Sequence, residues 1–324
     1  MLVKIYQNYL TNKQRKSFDM NIPSFTCLFD LLAAFPDETS CIMHLETVRW
    51  AKGVESPYDP QSKTYRYGDG KYMCSNTGKY FNVKTNTIFH ATKIPLQKWF
   101  MAIYLVTNHK KGISSCQLAR DINITQKSAW FMLQKIRERF CCENNGELDG
   151  EVELDETFVG GKNKNRHSNK KVQNSQGRSF KDKTPVLGML ERGGKVIAKV
   201  IKNTSVKQIT PFILETVKKT STLFTDEWCG YNLVGKLYKH FIVDHSKRQY
   251  VNENAHTNNI EGFWTWVKRS VIGIYHYVSR KHLQKYVNEL AFRYNTRHLN
   301  EVTRFSLLLS NTNNRITHKE LIGG

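Results

Sequence analysis

The sequence predicts an α/β chain with a mixed-sheet domain in its C-terminal half, preceded by a small β-rich module and a helical segment. From about residue 145 onward, short strand-like runs bounded by glycine or polar turns alternate with stretches of helical spacing. From Pro95 to Phe140, apolar residues recur every three or four positions with no strand pattern. Between the two, CCENNGELDGE shifts abruptly toward acid and glycine. The expected boundaries are therefore 1–94, 95–144 and 145–324.

The bulk numbers narrow the partners. Forty-nine Lys and Arg against twenty-eight Asp and Glu give a formal charge of +21, an excess that points to a polyanion, with nucleic acid first. A basic surface serving solubility alone is the plainer alternative, although added acid serves that end better. No apolar run reaches the roughly 18 residues of a membrane span, and the N-terminus lacks the apolar stretch and cleavage site of a signal peptide. No membrane association is expected, and a cytoplasmic location is. Seven cysteines, odd in number and unevenly spread, suit reduced thiols rather than a disulfide framework.

In the first segment, SFTCLFDLLAAF predicts a short buried helix ending before Pro36. Cys41 and His44 have the spacing of a zinc knuckle, and Cys74 could belong to a second, but Thr77 stands where its partner would be. With Cys41, His44 and Cys74 as the candidate ligands, the tetrahedral set is incomplete and bound Zn²⁺ is not expected. The segment reads as a degenerate zinc-ribbon-like module held by packing, with KYFNVKTNTIF as a strand.

From Pro95, Leu96, Trp99, Phe100, Ile103 and Tyr104 fall on one helical face, which should end near Gly112. The next stretch has helix-turn-helix spacing. Ser115 caps a helix with Leu118, Ala119 and Ile122 inward, Asn123 marks the turn, and Thr125 caps a second helix with Ala129, Leu133 and Ile136 inward. Gln126, Lys127, Ser128 and Gln134 would face outward, as on a helix lying in a major groove, although many helical pairs that bind nothing share the pattern.

The last segment is read element by element. EVELDETFVGG is a strand; TPVLGMLERGGKVIAKVI is a hairpin turning at Gly193 and Gly194; residues 205–219 form a helix with Ile209, Phe212, Ile213 and Val217 inward. TLFTDEWCGY is a strand entering a loop, NLVGKLY a short helix and HFIVDH a strand. A helix opens near Asn259, and another carries Leu283, Val287, Leu290 and Tyr294.

Ligands of such sheets gather at strand ends. Asp155 lies within EVELDETFVGG and Asp226 directly follows the apolar TLFT, positions from which carboxylates can hold a divalent metal. On the helix near Asn259, Ile260, Trp264 and Val267 form the inward stripe, which leaves Glu261, Thr265 and Lys268 on a neighbouring face. A carboxylate and a cation projecting together suit a phosphodiester under attack, though Glu and Lys at this spacing also occur on ordinary surfaces. Residues 162–183 hold eight Lys or Arg and one Asp, and would form a mobile loop beside the first aspartate, in contact with DNA phosphates. Trp264 is read as core, and Trp266 as able to stack on an unpaired base. His245 and His256 are read as hydrogen-bonding neighbours rather than metal ligands.

Five ordered motifs, DETFVGGK, TDEWCGY, VDHSKRQYV, HTNNIEGFWTWVKR and HLQKYVNELAFRYNTR, resemble the DDE domain of bacterial insertion-sequence transposases of the ISXO type. The front end resembles that group too, in which a zinc ribbon and a helix-turn-helix precede catalysis. The resemblance implies a ribonuclease-H-like fold, with Asp155, Asp226 and Glu261 matching the acidic triad and Lys268 its following basic residue. Because some relatives carry an amide as third member, Asn258 and Asn259 are lesser candidates for that place. It also implies two Mg²⁺ ions, with Mn²⁺ as a substitute, held by Asp155, Asp226 and Glu261. The partners implied are the element's terminal inverted repeats, target DNA, and a second copy or larger assembly in a bacterial nucleoid-associated setting. DNA contacts are expected from Lys162, Lys164, Arg166, Lys170, Lys171 and Arg269, and from Gln126 and Lys127. A catalytically silent regulator derived from a transposase and a nuclease on the same fold are the rival readings.

Overall fold

The structure, a computed structural model, describes residues 24–68, 70–140, 147–160, 167–173, 179–243 and 256–322. It divides into two compact units, one of Met1–His109, Ser115–Arg139 and Leu299–Gly324, the other of Lys110–Ser114 and Phe140–His298. The segments 1–94 and 95–144 thus largely share a unit. Residues from Leu299 on, grouped by sequence with the catalytic half, fall in that same unit.

In the first unit, α1 (Leu28–Ala34) ends before Pro36 and α2 (Glu38–Arg49) starts from Asp37, whose carboxylate accepts the Ser40 amide at 2.7 Å. A three-stranded antiparallel sheet follows: β1 (Thr64–Tyr67), β2 (Lys71–Cys74) and β3 (Tyr80–Phe81). The strand expected over KYFNVKTNTIF stops after two residues. Asn82 Oδ1 accepts the Lys84 amide at 3.0 Å, and Asn86 adopts a φ of 58°, so local side-chain hydrogen bonding turns the chain out of the ladder.

The remaining helices of this unit are α3 (Leu96–Asn108), α4 (Ser115–Asp121), α5 (Gln126–Arg137), α9 (Glu301–Ser310) and α10 (His318–Ile322). Phe25, Phe35, Phe100 and Phe305 meet in its core, with Phe25 and Phe305 centroids 5.2 Å apart. Asn123 takes a φ of 49° between α4 and α5, and Thr125 Oγ1 accepts the Ser128 amide at 3.3 Å, as the sequence predicts. Ser115 begins α4 rather than capping it. Gln134 is fully buried, against its expected outward position. The last turns of α5, Met132–Arg137, are enclosed all round, with Lys135 Nζ donating to the Ile88 carbonyl at 2.9 Å, so a single apolar stripe no longer defines the inside there.

The second unit contains β4 (Glu151–Val159), β5 (Thr184–Glu191), β6 (Val196–Val200), α6 (Val206–Thr216), β7 (Thr222–Asp226), β8 (Lys239–Val243), α7 (Asn258–Ser270) and α8 (Leu283–Asn295). Its five-stranded sheet runs β6-β5-β4-β7-β8. The β4–β5 and β5–β6 pairs are antiparallel, and β7 is parallel to both β4 and β8. A tight turn at Gly193, with φ of 72°, serves the β5–β6 hairpin, whereas α6 carries the chain back so that β7 joins β4 in parallel. This mixed sheet fits a ribonuclease-H-like domain.

Both faces of the sheet are buried, and strand alternation sorts them. Val152, Leu154, Leu187, Met189 and Ile197 pack with Ile209 and Ile213 of α6. Val159, Val186, Leu190, Val196 and Ala198 pack with Ile260, Trp264 and Val267 of α7 and with Leu283, Val287 and Leu290 of α8. Gly188 lies on the α7 side of β5, where a methyl group would come within 2.4 Å of the Trp264 ring and 3.0 Å of Ile260 Cδ1. Gly188→Ala is therefore expected to destabilise this unit by about 1–3 kcal/mol. Urea unfolding with wild-type stability would mean that α7 is not seated on β5 as described.

Candidate active site

The register of the parallel pair places the two aspartates. Glu153 stands opposite Phe224 on β4 and β7. The β4–β7 ladder ends at that pair, and Asp155 and Asp226 each lie two residues beyond it on their own strand. They also share a face. Asp155 has the parity of Glu153 and Val159 on the α7 side; Asp226 has that of Phe224, whose ring lies under the Arg192 guanidinium at 3.9 Å, and Arg192 is tied to Glu153. Both aspartates are half-buried. Each carboxylate is also engaged locally: Asp155 Oδ1 accepts the Glu156 amide at 2.8 Å, and Asp226 Oδ1 that of Trp228 at 3.1 Å.

Tyr231 is fully buried in the cluster on the α6 side of the sheet. Burial, then the carboxylates of Glu156, Asp155 and Asp226, raise its phenol well above the ordinary range.

Glu261 stands in the first turn of α7, the helix that covers this same face. Its side chain is exposed and its Oε1 accepts the Thr257 hydroxyl at 3.1 Å. Thr265, Lys268 and Arg269 are exposed further along, and the uninterrupted helix keeps Glu261, Thr265 and Lys268 on one side. Among the described residues, no group of three His, Cys, Asp or Glu side chains closes into a metal-holding set. Asp155 and Asp226 nevertheless offer the oxygen donors and paired negative charge that suit a hard divalent cation.

Glu153 and Arg192, absent from the sequence reading, fix the start of α7. The carboxylate of Glu153 is fully buried and accepts the amides of Asn259 at 3.1 Å and Ile260 at 3.0 Å, together with Asn259 Nδ2 at 2.8 Å. Arg192 Nε donates to it at 2.9 Å, and the His256 ring nitrogen lies 3.3 Å away. Arg192 also donates to Glu151 at 2.9 Å and to the His256 carbonyl at 2.7 Å. The signal available was a charged residue at an alternate position of an apolar strand, two before Asp155. Asn259, a lesser candidate for third member of the triad, has its amide turned to Glu153.

The other expected residues are distributed as follows. Gln126 and Lys127 are exposed at the start of α5, and Lys171 is exposed. Lys162, Lys164, Arg166 and His245 lie outside the described residues, as does the side chain of Lys170. His256 accepts Arg192 through its backbone carbonyl, and its ring Nδ1 lies 3.3 Å from Glu153. Trp264 is core, and Trp266 is partly buried beside Phe263, with centroids 6.1 Å apart.

The three candidate zinc ligands occupy different surroundings. Cys41 and His44 lie on α2, a helix rather than the turn of a knuckle. Burial, with Glu38 and Asp37 nearby, pushes the Cys41 thiol up to about 12, and burial lowers His44 to about 4 beside the Phe35 ring. Cys74 ends β2. Burial would raise its thiol, but hydrogen bonds from Ser56, Ser62 and Thr77 outweigh that and bring it to about 7.

Residues 147–295 match the ISXO2-like transposase domain family. An uncharacterized protein in transposable element ISH50 of Halobacterium salinarum is 26% identical over 251 residues, which cover 74% of this chain and 84% of that protein. An uncharacterized transposase-like protein of Haemophilus influenzae is 29% identical over 102 residues, 31% of this chain and 81% of its own. A solved pre-cleavage Mos1 transpososome aligns with 95% of this chain and all of its own at 11% identity, but with a TM-score of 0.24 nothing rests on that likeness.

Proposed function

We propose, from the match of residues 147–295 to the ISXO2-like transposase domain family, that this chain is the DNA transposase of an insertion sequence, which cuts the element's ends and joins them to target DNA. The observation that supports this chemistry is that Asp155 and Asp226 stand on one face of the adjacent parallel strands β4 and β7, the face that α7, bearing Glu261, covers. These three carboxylates would hold Mg²⁺, or Mn²⁺ in its place, which supplies Lewis acidity toward phosphoryl oxygens and a nucleophile at neutral pH.

The protein's own groups do the rest. Asp155 and Asp226 present anionic oxygens at the rim of the sheet, and Glu261 adds a third from the opening turn of α7. Lys268 and Arg269, further along α7, attract and orient the phosphate backbone. The basic stretch containing Lys162, Lys164, Arg166, Lys170 and Lys171 adds backbone contacts. Gln126 and Lys127, exposed at the start of the second helix of the α4–α5 pair, would read the terminal repeats, as a helix-turn-helix does. Hydrolysis and joining are one displacement with two nucleophiles, water and then a terminal 3′ hydroxyl. Coordinating two ends calls for a dimer or larger assembly.

Purified full-length protein, Mg²⁺ and a labelled duplex carrying the element's terminal repeats form the test. Joined products are expected. Cleavage without joining would make the chain a nuclease, and retention without either would make it a DNA-binding regulator.

A further inference from the structure

We infer that Glu153 is a positioning residue for Glu261, setting where α7 starts over the paired aspartates; the inference rests on the proposed function. An α-helix leaves its first amides without intrahelical acceptors, and a Ser, Thr, Asp or Asn side chain at the N-cap usually supplies one. α7 has Thr257 at that place, but its hydroxyl makes no capping bond. It donates to Glu261 Oε1 instead, at 3.1 Å. The capping acceptor comes from the sheet: Glu153 Oε2 takes the Asn259 and Ile260 amides at 3.1 and 3.0 Å.

This exchange has a geometric consequence. Thr257 is released to hold the carboxylate of Glu261. The helix N-terminus is bound to a rigid interior strand at a residue two positions from Asp155, on the same face. A negative charge at that end is favoured by the helix dipole, and Arg192 balances it at 2.9 Å. A cap on the preceding loop would satisfy the amides equally well without relating α7 to β4. Two amides accepted by one carboxylate, with Asn259 Nδ2 on its other oxygen at 2.8 Å, fix both the height and the rotation of the first turn, and so the direction in which Glu261 projects.

The test uses the full-length chain as wild type, Glu153→Gln, Glu261→Gln and the double variant. Mn²⁺ binding is read by the electron paramagnetic resonance of the unbound ion, cleavage on the terminal-repeat duplex, and hydrogen exchange at the amides of Asn259 and Ile260. Glu153→Gln is expected to weaken Mn²⁺ binding about tenfold and slow cleavage comparably, the scale seen when outer partners of metal ligands are changed. Protection of the two amides should fall. Adding Glu153→Gln to Glu261→Gln should weaken binding and cleavage no further, because the first acts through the second. Should Glu153→Gln fail to fold, Asn259→Ala, at an exposed position, should give a smaller loss of Mn²⁺ affinity that likewise vanishes in the Glu261→Gln background. Wild-type binding and cleavage in the folded position-153 variant, or losses that add in the double, would overturn the inference while leaving the proposed function intact. A wild-type chain that neither binds Mn²⁺ nor cuts would instead overturn the proposed function, and the inference with it.

Discussion

Asp226→Asn is expected to abolish Mg²⁺-dependent cutting while leaving DNA binding and its salt dependence close to wild type. The substitution keeps the shape of the side chain and the oxygen that accepts the Trp228 amide at 3.1 Å, so the exit from β7 should hold. What it removes is one of two negative charges carried on adjacent strands. An amide oxygen is a far weaker partner for a hard divalent cation than a carboxylate. Loss of several kcal/mol of transition-state stabilisation, the scale of metal assistance, is about a 10³-fold loss of rate at about 1.4 kcal/mol per factor of ten. DNA binding should survive because it draws on the +21 net charge, to which Asp226 contributes nothing favourable. Asp149→Asn is the control. Asp149 is an exposed carboxylate 2.8 Å from Lys218, and its variant should cut normally. If Asp226→Asn cut at the wild-type rate, Asp226 would have no part in the chemistry.

The elements of the α/β unit were legible in the sequence because each was announced locally. The glycine pair at 193 and 194 marks the hairpin, alternation marks β4, and the Ile209, Phe212, Ile213 and Val217 stripe marks α6. Asp155 and Asp226 were legible as candidates because a charge directly after or within an apolar strand has to reach the rim. Their pairing was not, since register depends on which strands neighbour one another. The same limit hid Glu153. Its role comes from partners 39 and 106 residues away, Arg192 and Asn259, and no local spacing encodes such distances. In the first unit, the short-range chemistry of Asn82 and Asn86 overrode the strand-like composition of KYFNVKTNTIF. The helix α9 went unread because its packing partners lie 280 and 205 residues earlier, where Phe25 and Phe100 meet Phe305.

Arg192→Met is expected to lower the stability of the second unit by about 3–5 kcal/mol, the cost of leaving a buried charge without its counter-charge. Glu153 is fully buried, and Arg192 is the cation bonded to it at 2.9 Å, with 12% of its own side chain exposed. The helix amides still reach the carboxylate in the variant, which argues for the lower end of that range. Methionine keeps the unbranched stem that runs toward the Phe224 ring, so most of the loss should be electrostatic rather than a matter of packing. This leads to a reversal that simple loss of packing would not produce. In the double variant Arg192→Met, Glu153→Gln, the charge left stranded by the first change is removed by the second, and the pair should be more stable than Arg192→Met alone. Chemical denaturation of the four proteins measures the coupling. If Arg192→Met unfolded within about 0.5 kcal/mol of wild type, the guanidinium would not be compensating Glu153. If the double variant were the least stable of the four, the buried carboxylate would be held chiefly by the amides of α7. The strap from β4 to that helix would then stand without Arg192.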